Sequence, residues 1–247
     1  MNFRLPIIPL LASNEVHIWS ACLSKNQVNI PRFQSLLSAD ESQKANSFRF
    51  LKDKHAFIVS RGILRCLLGG YLRKDPQHIE ILYGLWGKPC LSQEYSLYFN
   101  LSHSKEYTLY AFASSYELGI DLEYIDSTLD VAKIAPTILS SQERAFWEEV
   151  PPKDKTYVFF KLWVYKEALL KASGKGWLSN EQEIPLSILK SILKVTENGL
   201  EKEKRGSPYY FEVIPGYASG LHVEGPYFYP LHYVWNSDGS QLRRAPL

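Results

Sequence analysis

The stretch Gly119-Ile120-Asp121-Leu122-Glu123 organises our interpretation of the whole chain. It alternates as a short β-strand does, so Asp121 and Glu123 share one face while Ile120 and Leu122 share the other. Two carboxylates side by side repel each other unless a positive charge lies between them. A hard divalent cation such as Mg²⁺ meets this need, because it binds carboxylate oxygens and keeps positions for water and phosphate. An edge strand with a solvated acidic face has the same pattern, so the pentapeptide alone leaves both interpretations open.

The composition is that of an ordinary globular protein, with 45% hydrophobic and 22% charged residues among 247. A chain of this length holds one large domain or two lobes of about 100–150 residues each. The net charge of +2 gives no reason to expect a nucleic-acid partner. No apolar run approaches membrane-spanning length, so we expect no membrane contact. The three cysteines, Cys22, Cys66 and Cys90, lie far apart without metal-ligand spacing, which predicts reduced thiols in a cytoplasmic protein.

Periodicity and capping signals predict a mixture of strands and helices. Ser38 and Glu41 have the spacing of a capping box that begins a helix. The apolar period of Ala56–Leu68 predicts a second helix, which we expect to stop at Gly69-Gly70. Tyr157–Ser173 has the strongest helical pattern in the chain and ends before a glycine. We also expect strands at Val16–Trp19 and Tyr107–Phe112, and another helix that begins at Ser140.

Several polar segments in the first half of the chain suit anion binding. Arg61 and Arg65 are four residues apart and share one helical face, either a solvated face or a phosphate-binding edge. The turn Gly87-Lys88-Pro89 is followed by Ser102-His103-Ser104, which we place in a loop that could simply cap backbone groups. No Gly-x-Ser-x-Gly elbow is present, so Ser102 is a poor candidate nucleophile and a better anion ligand. A local basic cluster contains Lys44, Arg49, Lys52 and Lys54.

The predicted helix Tyr157–Ser173 carries three charged residues of interest, Lys166, Glu167 and Lys171. Glu167 and Lys171 are four residues apart, in the order that favours a simple surface ion pair. Such a pair would contribute only a few tenths of a kcal/mol, at roughly 0.2–0.5. The helix alone therefore gives no reason to assign chemistry to these residues.

A faint repeat with an offset of about 100 residues relates two parts of the chain. It places Arg65 opposite Lys166, and it places His17 and His222 where another copy has Asp121. We therefore expect two similar strand–helix–helix–strand lobes related by a pseudo-twofold axis, of which only one can hold a metal. The matched segments are Ser42-Gln43 with Ser141-Gln142, Tyr107–Phe112 with Pro208–Val213, and Gly119–Glu123 with Gly220–Glu224.

Four motifs in order resemble the signature of the 4′-phosphopantetheinyl transferase superfamily, and in particular its two-lobed, Sfp-type members. Each motif alone is weak, whereas four in the right order and at plausible spacing are specific. The resemblance runs from about Leu36 to Gly176, and more loosely through Tyr209–Glu224. Val164 departs from the family, where many members have a small hydroxyl residue, and we expect no effect on chemistry. The motifs are Gly87-Lys88-Pro89, Asn100-Leu101-Ser102-His103-Ser104, Gly119–Glu123 and the nine residues from Trp163 to Lys171.

The repeat and the resemblance together imply an α+β fold of two similar α/β lobes, with the active site at the lobe interface. Residues 1–114 would form an N-terminal lobe that contacts the phosphates of coenzyme A. Residues 115–235 would form a C-terminal lobe with the metal and the catalytic residues, and residues 236–247 a flexible tail. Because two lobes in one chain could complete the site, we expect a monomer.

The implied activity is transfer of 4′-phosphopantetheine from coenzyme A to a serine hydroxyl of an acyl or peptidyl carrier protein, which releases 3′,5′-ADP. The resemblance assigns catalysis to Asp121, Glu167 and Lys171, and one Mg²⁺ to Asp121, Glu123 and Glu167. Lys166 and Lys171 would neutralise charge that develops on the phosphate. The base would be Glu167 or a water held by the metal. Coenzyme A would be bound by Arg61, Lys88, Pro89, Ser102, His103, Lys166 and Lys171, with Lys44, Arg49 and Lys52 as helpers.

Two other classes of protein remain as alternatives. A coenzyme A- or nucleotide-binding module without catalysis would have no need to keep Asp121, Glu123, Glu167 and Lys171 together. A nucleic-acid-binding protein that uses the segment Lys44–Arg65 is disfavoured by the small net charge and by the lack of a basic, aromatic platform.

Overall fold

The computed structural model describes residues 7–174, 184, 189, 209–225, 227–238 and 243–244, which form a mixed α+β fold. The helices are α1 (Ile30–Leu36), α2 (Ala39–Ser47), α3 (Leu51–Leu72), α4 (Val131–Ile138), α5 (Ser141–Glu148) and α6 (Lys155–Ser173), with 3-10 turns at Ser24–Asn29 and Pro76–His78. The strands are β1 (Glu15–Cys22), β2 (Leu82–Tyr83), β3 (Pro89–Cys90), β4 (Tyr98–Ser104), β5 (Tyr107–Ala113), β6 (Leu118–Tyr124), β7 (Tyr209–Phe211), β8 (Tyr217–Val223), β9 (Tyr229–Trp235) and β10 (Arg243–Arg244).

The strands form one larger and one smaller sheet. The larger sheet has the order β10-β9-β1-β5-β4, in which β1 pairs antiparallel with β5 and parallel with β9. The smaller sheet has the order β6-β8-β7 and is antiparallel. β2 and β3 form a separate hairpin. The predicted strands at Val16–Trp19 and Tyr107–Phe112 are confirmed as parts of β1 and β5.

The fold has four layers in the order α3, larger sheet, smaller sheet, α6. Apolar side chains that alternate between the two faces of each strand fill the spaces between these layers. Trp19 of β1 belongs to the hydrophobic cluster under α3, whereas its neighbour Ile18 belongs to the cluster between the two sheets. Ile120 of β6 lies in that same central cluster. Phe159 of α6 packs in a third cluster with side chains of the smaller sheet. This arrangement leaves the odd-numbered residues of β6 facing α6.

The starts of α2 and α5 agree with the sequence prediction, whereas α3 begins at Leu51, before the predicted Ala56, and also ends later than predicted. Ser38 and Glu41 form a capping box at α2, and Ser140 and Glu143 form the same box at α5. α3 does not stop at Gly69-Gly70 as expected but continues to Leu72. Its residues from Ile58 to Gly69 are all buried, so packing outweighs the cost of about 1 kcal/mol that a glycine adds to a helix.

The two sheets carry parallels that bear on the expected repeat. The strand orders β1-β5-β4 and β6-β8-β7 are alike, and each set accompanies a capping-box helix and a long helix. Arg65 Nε lies 2.6 Å from Glu41 Oε2, and Lys166 Nζ lies 2.8 Å from Glu143 Oε2, so the expected pairing of Arg65 with Lys166 has a structural counterpart. The pseudo-twofold relation of two lobes itself stays a prediction.

One match within that repeat is wrong. Gly119–Glu123 and Gly220–Glu224 are not equivalent copies, because β6 and β8 are antiparallel neighbours in one sheet, with Asp121 opposite Gly220. β8 occupies the place that β5 has in the larger sheet, so His222 is not the counterpart of Asp121. Pro208, at the start of another matched segment, lies outside the described residues.

The predicted tail at residues 236–247 is described only at 236–238 and 243–244. Arg243 and Arg244 pair with Val234 and Tyr233 of β9, so this part of the tail extends the larger sheet. The remaining tail residues lie outside the described part of the chain. Among the helices that the structure describes, none is long and apolar enough to cross a membrane.

Candidate active site

Strand β6 and helix α6 approach each other closely at Gly119. A Cβ atom at this position would lie 2.0 Å from the Ala168 carbonyl oxygen and 2.4 Å from the Ala172 backbone nitrogen. Only glycine allows such an approach, because any side chain would collide with the helix backbone. The contact brings the last two turns of α6, which carry Glu167 and Lys171, against the face of β6 that bears its carboxylates.

Asp121 is the buried centre of this contact, with 3% of its surface exposed. Its Oδ1 accepts hydrogen bonds from Lys171 Nζ at 2.6 Å and from Ser102 Oγ at 2.7 Å. Lys171 Nζ also donates to Ser102 Oγ at 3.0 Å. Lys171 therefore has a buried carboxylate partner, which a simple surface pair with Glu167 would not provide.

The second carboxylate oxygen of Asp121 differs sharply from the first. Oδ2 is buried and has no hydrogen-bond partner within the described residues. A desolvated carboxylate oxygen without a donor is costly, so it favours binding of a cation or of a donor from a substrate. This orphaned oxygen fits the expected metal.

Glu123 is the half-buried second carboxylate of β6. Its Oε2 accepts a hydrogen bond from Ser104 Oγ at 3.0 Å. Burial, and next the negative charge of Asp121, raise the pKa of Glu123 to about 7. The Ser104 hydrogen bond and Lys171 oppose this rise in pKa, and Glu167 adds to it. A bound cation would offset the part of this rise in pKa that comes from the neighbouring carboxylates.

The three expected metal ligands, Asp121, Glu123 and Glu167, interact electrostatically but are not arranged as a preformed metal site. Within the described residues, no three carboxylate, imidazole or thiolate side chains converge into a group that could hold a metal ion. Lys171 Nζ, which carries a positive charge, already lies against Asp121 Oδ1. The donor chemistry of Asp121 and Glu123 suits Mg²⁺, and Glu167 is half-buried on α6 near them.

Ser102 and His103 lie within strand β4, not in the loop that we expected. Tyr98–Ser104 pairs along its length with β5, and this backbone pairing outweighs the turn preference of the two serines. His103 is exposed over the residue as a whole. Partial burial of its imidazole is nevertheless the largest cause that lowers the pKa of this side chain. The Lys171 ammonium lowers this pKa further, and Asp121 opposes both effects. Ser102 therefore bonds directly to the Asp121–Lys171 pair, and His103 interacts with that pair electrostatically.

Lys88 reaches the same region from the β2–β3 hairpin, whose turn residue Gly87 has a φ of 79°. Its Nζ donates to Glu117 Oε2 at 2.5 Å, to the Leu118 carbonyl at 3.2 Å and to the Ala172 carbonyl at 3.0 Å. These acceptors use all three donors of the ammonium group. A phosphate contact by Lys88 would have to replace one of them. Lys88 and Pro89 also line a cavity of about 460 Å³.

Lys166 has a different partner from the one that the resemblance implied. It binds Glu143 Oε2, and the Glu143 side chain is fully buried while that of Lys166 is 12% exposed. Glu143 also accepts hydrogen bonds from the backbone nitrogens of Ser140 and Ile184. Lys166 therefore neutralises a buried capping carboxylate, and a phosphate contact by Lys166 would have to compete with this pair.

The remaining basic residues lie on α2, on α3 and between these helices, and several of them lie beside aromatic rings. Arg61 is 7% exposed, and its guanidinium lies 5.7 Å from the ring centre of Phe57 and 6.0 Å from that of Tyr83. Lys44 Nζ lies 5.6 Å from the same Phe57 ring. Arg61 and Arg65 are therefore not a solvated face, since both also contact Glu41. Arg49 is exposed beside Phe50, and Lys52 pairs with Glu106 at 3.4 Å.

Sequence reasoning missed two contributors to this region, Asn100 and Ser104. Asn100 Oδ1 accepts a hydrogen bond from the Ile120 backbone nitrogen at 3.0 Å. Ser104 Oγ binds Glu123 and also accepts from the Tyr124 backbone nitrogen at 3.1 Å. The signal was the alternation Asn100-x-Ser102-x-Ser104, which places three polar side chains on one strand face. It was hidden because we assigned this segment to a loop.

Comparison with known proteins identifies the family. Residues 117–220 match the model of the 4′-phosphopantetheinyl transferase superfamily, and residues 19–115 match that of the 4′-phosphopantetheinyl transferase N-terminal region. The chain is 36% identical over 181 residues to the 4′-phosphopantetheinyl transferase HetI of Nostoc sp., an alignment that covers 72% of this chain and 76% of HetI. It is 28% identical over 210 residues to the 4′-phosphopantetheinyl transferase Sfp of Bacillus subtilis, covering 80% of this chain and 86% of Sfp.

The chain belongs to the 4′-phosphopantetheinyl transferase superfamily. It is an enzyme that transfers the 4′-phosphopantetheinyl group, and the resemblance seen in the sequence is confirmed. The alternative of a non-catalytic binding module finds no support among these relatives.

Proposed function

We propose that the contact between β6 and α6 is the active site, where 4′-phosphopantetheine passes from coenzyme A to a serine of an acyl or peptidyl carrier protein. The observation that carries this proposal is the environment of Asp121. One oxygen of this buried carboxylate is held by Lys171 and Ser102, and the other has no partner in the described part of the chain. Such an oxygen suits a divalent cation that accompanies a pyrophosphate.

We propose that Asp121, Glu123 and Glu167 hold one Mg²⁺. When bound, the ion would offset negative charge on the pyrophosphate of coenzyme A. The support for this set is the orphaned oxygen of Asp121 and the pKa of Glu123, raised to about 7 by burial and by neighbouring carboxylates. Both features are those of carboxylates that a second cation, beside Lys171, would stabilise.

The transfer step joins the serine oxygen of the carrier protein to the phosphorus that bears pantetheine. The bond from that phosphorus to the bridging oxygen breaks, 3′,5′-ADP leaves, and the serine proton passes to a base. Glu167 is the candidate base in the protein, because it lies one helical turn before Lys171 on α6. Lys171, held in place by Asp121 and Ser102, would stabilise charge on the transferring phosphate.

The coenzyme A contacts follow from where the basic and polar side chains lie. His103 and Ser102 adjoin the Asp121–Lys171 pair and would contact a phosphate there. Arg61, Lys44, Arg49 and Lys52 lie on α2, on α3 or between these helices, and they would receive the adenosine end and its 3′-phosphate. Lys88 and Pro89 would contribute at the cavity beside the hairpin.

We further propose that this site lies at a boundary between two related lobes of a monomer. β4 comes from residues before 115 and β6 from residues after it, and both supply side chains to the site. The two family matches meet at the same place, since one ends at residue 115 and the other begins at 117. The cytoplasmic location inferred from the cysteines remains a prediction.

Intact-mass measurement of an apo carrier protein tests this function. With the enzyme, coenzyme A and Mg²⁺, we expect the carrier to gain the mass of one phosphopantetheine. A carrier variant whose acceptor serine is alanine should gain nothing, and chelation of the metal should stop the reaction. A carrier that stays unmodified while the enzyme still binds coenzyme A would contradict the proposal.

A further inference from the structure

The two sheets meet along a line of side-chain hydrogen bonds that we call the seam, formed by Asn100, Ser102 and Ser104 of β4 against β6. β4 and β6 belong to different sheets among the described strands, so backbone pairing does not hold them together. Instead, the side chains of Asn100, Ser102 and Ser104, which alternate along β4, form hydrogen bonds with β6. Because Asn100 bonds near the start of β6 and Ser104 near its end, the two strands run in the same direction.

The seam holds β6 on both sides of its two carboxylates. Asn100 accepts from the backbone nitrogen of Ile120, immediately before Asp121. Ser104 accepts from the backbone nitrogen of Tyr124, immediately after Glu123. Ser102 donates directly to Asp121. The carboxylate-bearing segment therefore cannot shift along β4 without breaking several hydrogen bonds at once.

Ser104 makes two hydrogen bonds, both of them to strand β6. Its hydroxyl accepts from the Tyr124 backbone nitrogen at 3.1 Å and donates to Glu123 Oε2 at 3.0 Å. With its acceptor capacity directed at the backbone, its single proton is directed at the carboxylate. One oxygen of Glu123 is thereby fixed relative to the strand that carries it.

We propose that Ser104 is a positioning residue that orients the Glu123 carboxylate for cation binding beside Asp121. This inference rests on the proposed Mg²⁺ site and deepens it. A free glutamate side chain has several rotamers, whereas a glutamate held by a hydroxyl presents its other oxygen in one direction. The seam serine would thus contribute to metal affinity without touching the metal or the substrate.

The test compares Ser104→Ala with Ser104→Thr, which keeps the hydroxyl, and with Ser20→Ala as a matched control. Ser20 is a buried strand serine whose hydroxyl bonds to the Tyr233 carbonyl in the larger sheet, apart from β6. Mg²⁺ affinity is measured by calorimetry with coenzyme A present and no carrier protein, so that no turnover occurs. The Mg²⁺ dependence of the transfer rate and the melting temperature are measured in parallel.

We expect Ser104→Ala to weaken Mg²⁺ binding about tenfold, which is the effect of losing one hydrogen bond to a charged group. At saturating Mg²⁺ its kcat should stay within about twofold of wild type, because the reacting groups are unchanged. Ser104→Thr should restore most of the affinity, and Ser20→Ala should bind Mg²⁺ as wild type does.

Two results would overturn the inference, and they are distinguishable. If wild type depends on Mg²⁺ but Ser104→Ala binds it with unchanged affinity, Ser104 is only a structural residue and the metal site stands. If wild type itself neither binds nor requires Mg²⁺, the metal site of the proposed function fails and the role of Ser104 fails with it.

Discussion

Lys171 Nζ lies 2.6 Å from Asp121 Oδ1, and this ion pair joins the last turn of α6 to the middle of β6. Asp121 is almost completely buried, while the Lys171 side chain is 29% exposed. The pair therefore has one end in the protein interior and the other partly exposed to solvent. A single ion pair therefore links the helix to the strand.

Replacing Lys171 with methionine should affect both catalysis and stability. We expect the transfer rate to fall by about 10²–10³-fold, since a preorganised positive charge is lost. The melting temperature should also fall, because the buried Asp121 carboxylate loses its cation. The double variant Lys171→Met with Asp121→Asn should regain most of that melting temperature and remain inactive. Equal melting temperatures in the single and double variants would show that the two residues are not coupled.

Gly119→Ala should destabilise the protein by about 3 kcal/mol or more, because the new methyl group would meet the α6 backbone. The matched control is Gly84→Ala in the β2–β3 hairpin. A Cβ at Gly84 would come no nearer than 3.7 Å to its closest neighbour, the Lys88 carbonyl oxygen. Chemical denaturation measures both variants. A Gly119→Ala protein as stable as the Gly84→Ala protein would show that α6 does not pack on β6 as described.

Lys166→Met should reduce stability by about 3–5 kcal/mol, because it leaves the fully buried Glu143 without its cation. Adding Glu143→Gln should restore a substantial part of this loss. Because Lys166 pairs with Glu143, we expect it to stabilise the fold and not to bind coenzyme A. The double variant should therefore keep a Michaelis constant for coenzyme A within about threefold of wild type. A large rise in that constant, with stability restored, would return Lys166 to the phosphate site that the resemblance implied.

Stability should depend on pH through His222, which lies against Tyr165 of α6 at 3.2 Å. Burial lowers the pKa of His222 from 6.5 to about 4. Between these values the unfolded chain binds more protons than the folded one, so stability rises with pH across this window and is lost as pH falls. We expect His222→Gln to reduce the decrease in melting temperature between pH 6.5 and pH 4.5 by about 5 °C, after allowance for partial exposure. An unchanged pH profile would show that His222 does not control this acid sensitivity.

The sequence predicted most of the elements from local signals. The capping boxes at Ser38 and Ser140 and the helix that ends at Gly174 depend on residues within one or two turns. The end of α3 was predicted too early. The helix continues through Gly69 and Gly70 because its preceding residues are buried, and this packing stabilises the helix more than the glycines destabilise it. Burial of that kind depends on distant parts of the chain, which local patterns do not record.

Within the site, sequence spacing predicted which side chains share a strand face, but it did not predict all of their contacts. The alternation of Asp121 and Glu123 predicted a shared face, and in the structure both carboxylates interact with charged residues of α6. The same kind of alternation in Asn100, Ser102 and Ser104 was overlooked, because serines next to histidine suggested a turn. The partner of Lys166 could not be seen in the sequence, since Glu143 lies 23 residues away and is reached only when α5 folds against α6.

The most direct test of the central claim is Mg²⁺-dependent labelling of an apo carrier protein by Asp121→Asn, measured by intact mass beside wild type. Asp130→Asn serves as control, because Asp130 is an exposed acid whose side chain pairs with the exposed Lys133. We expect labelling by wild type and by Asp130→Asn, and a loss of at least about 10³-fold with Asp121→Asn in a folded protein. Labelling by Asp121→Asn at the wild-type rate and with the wild-type Mg²⁺ dependence would contradict it.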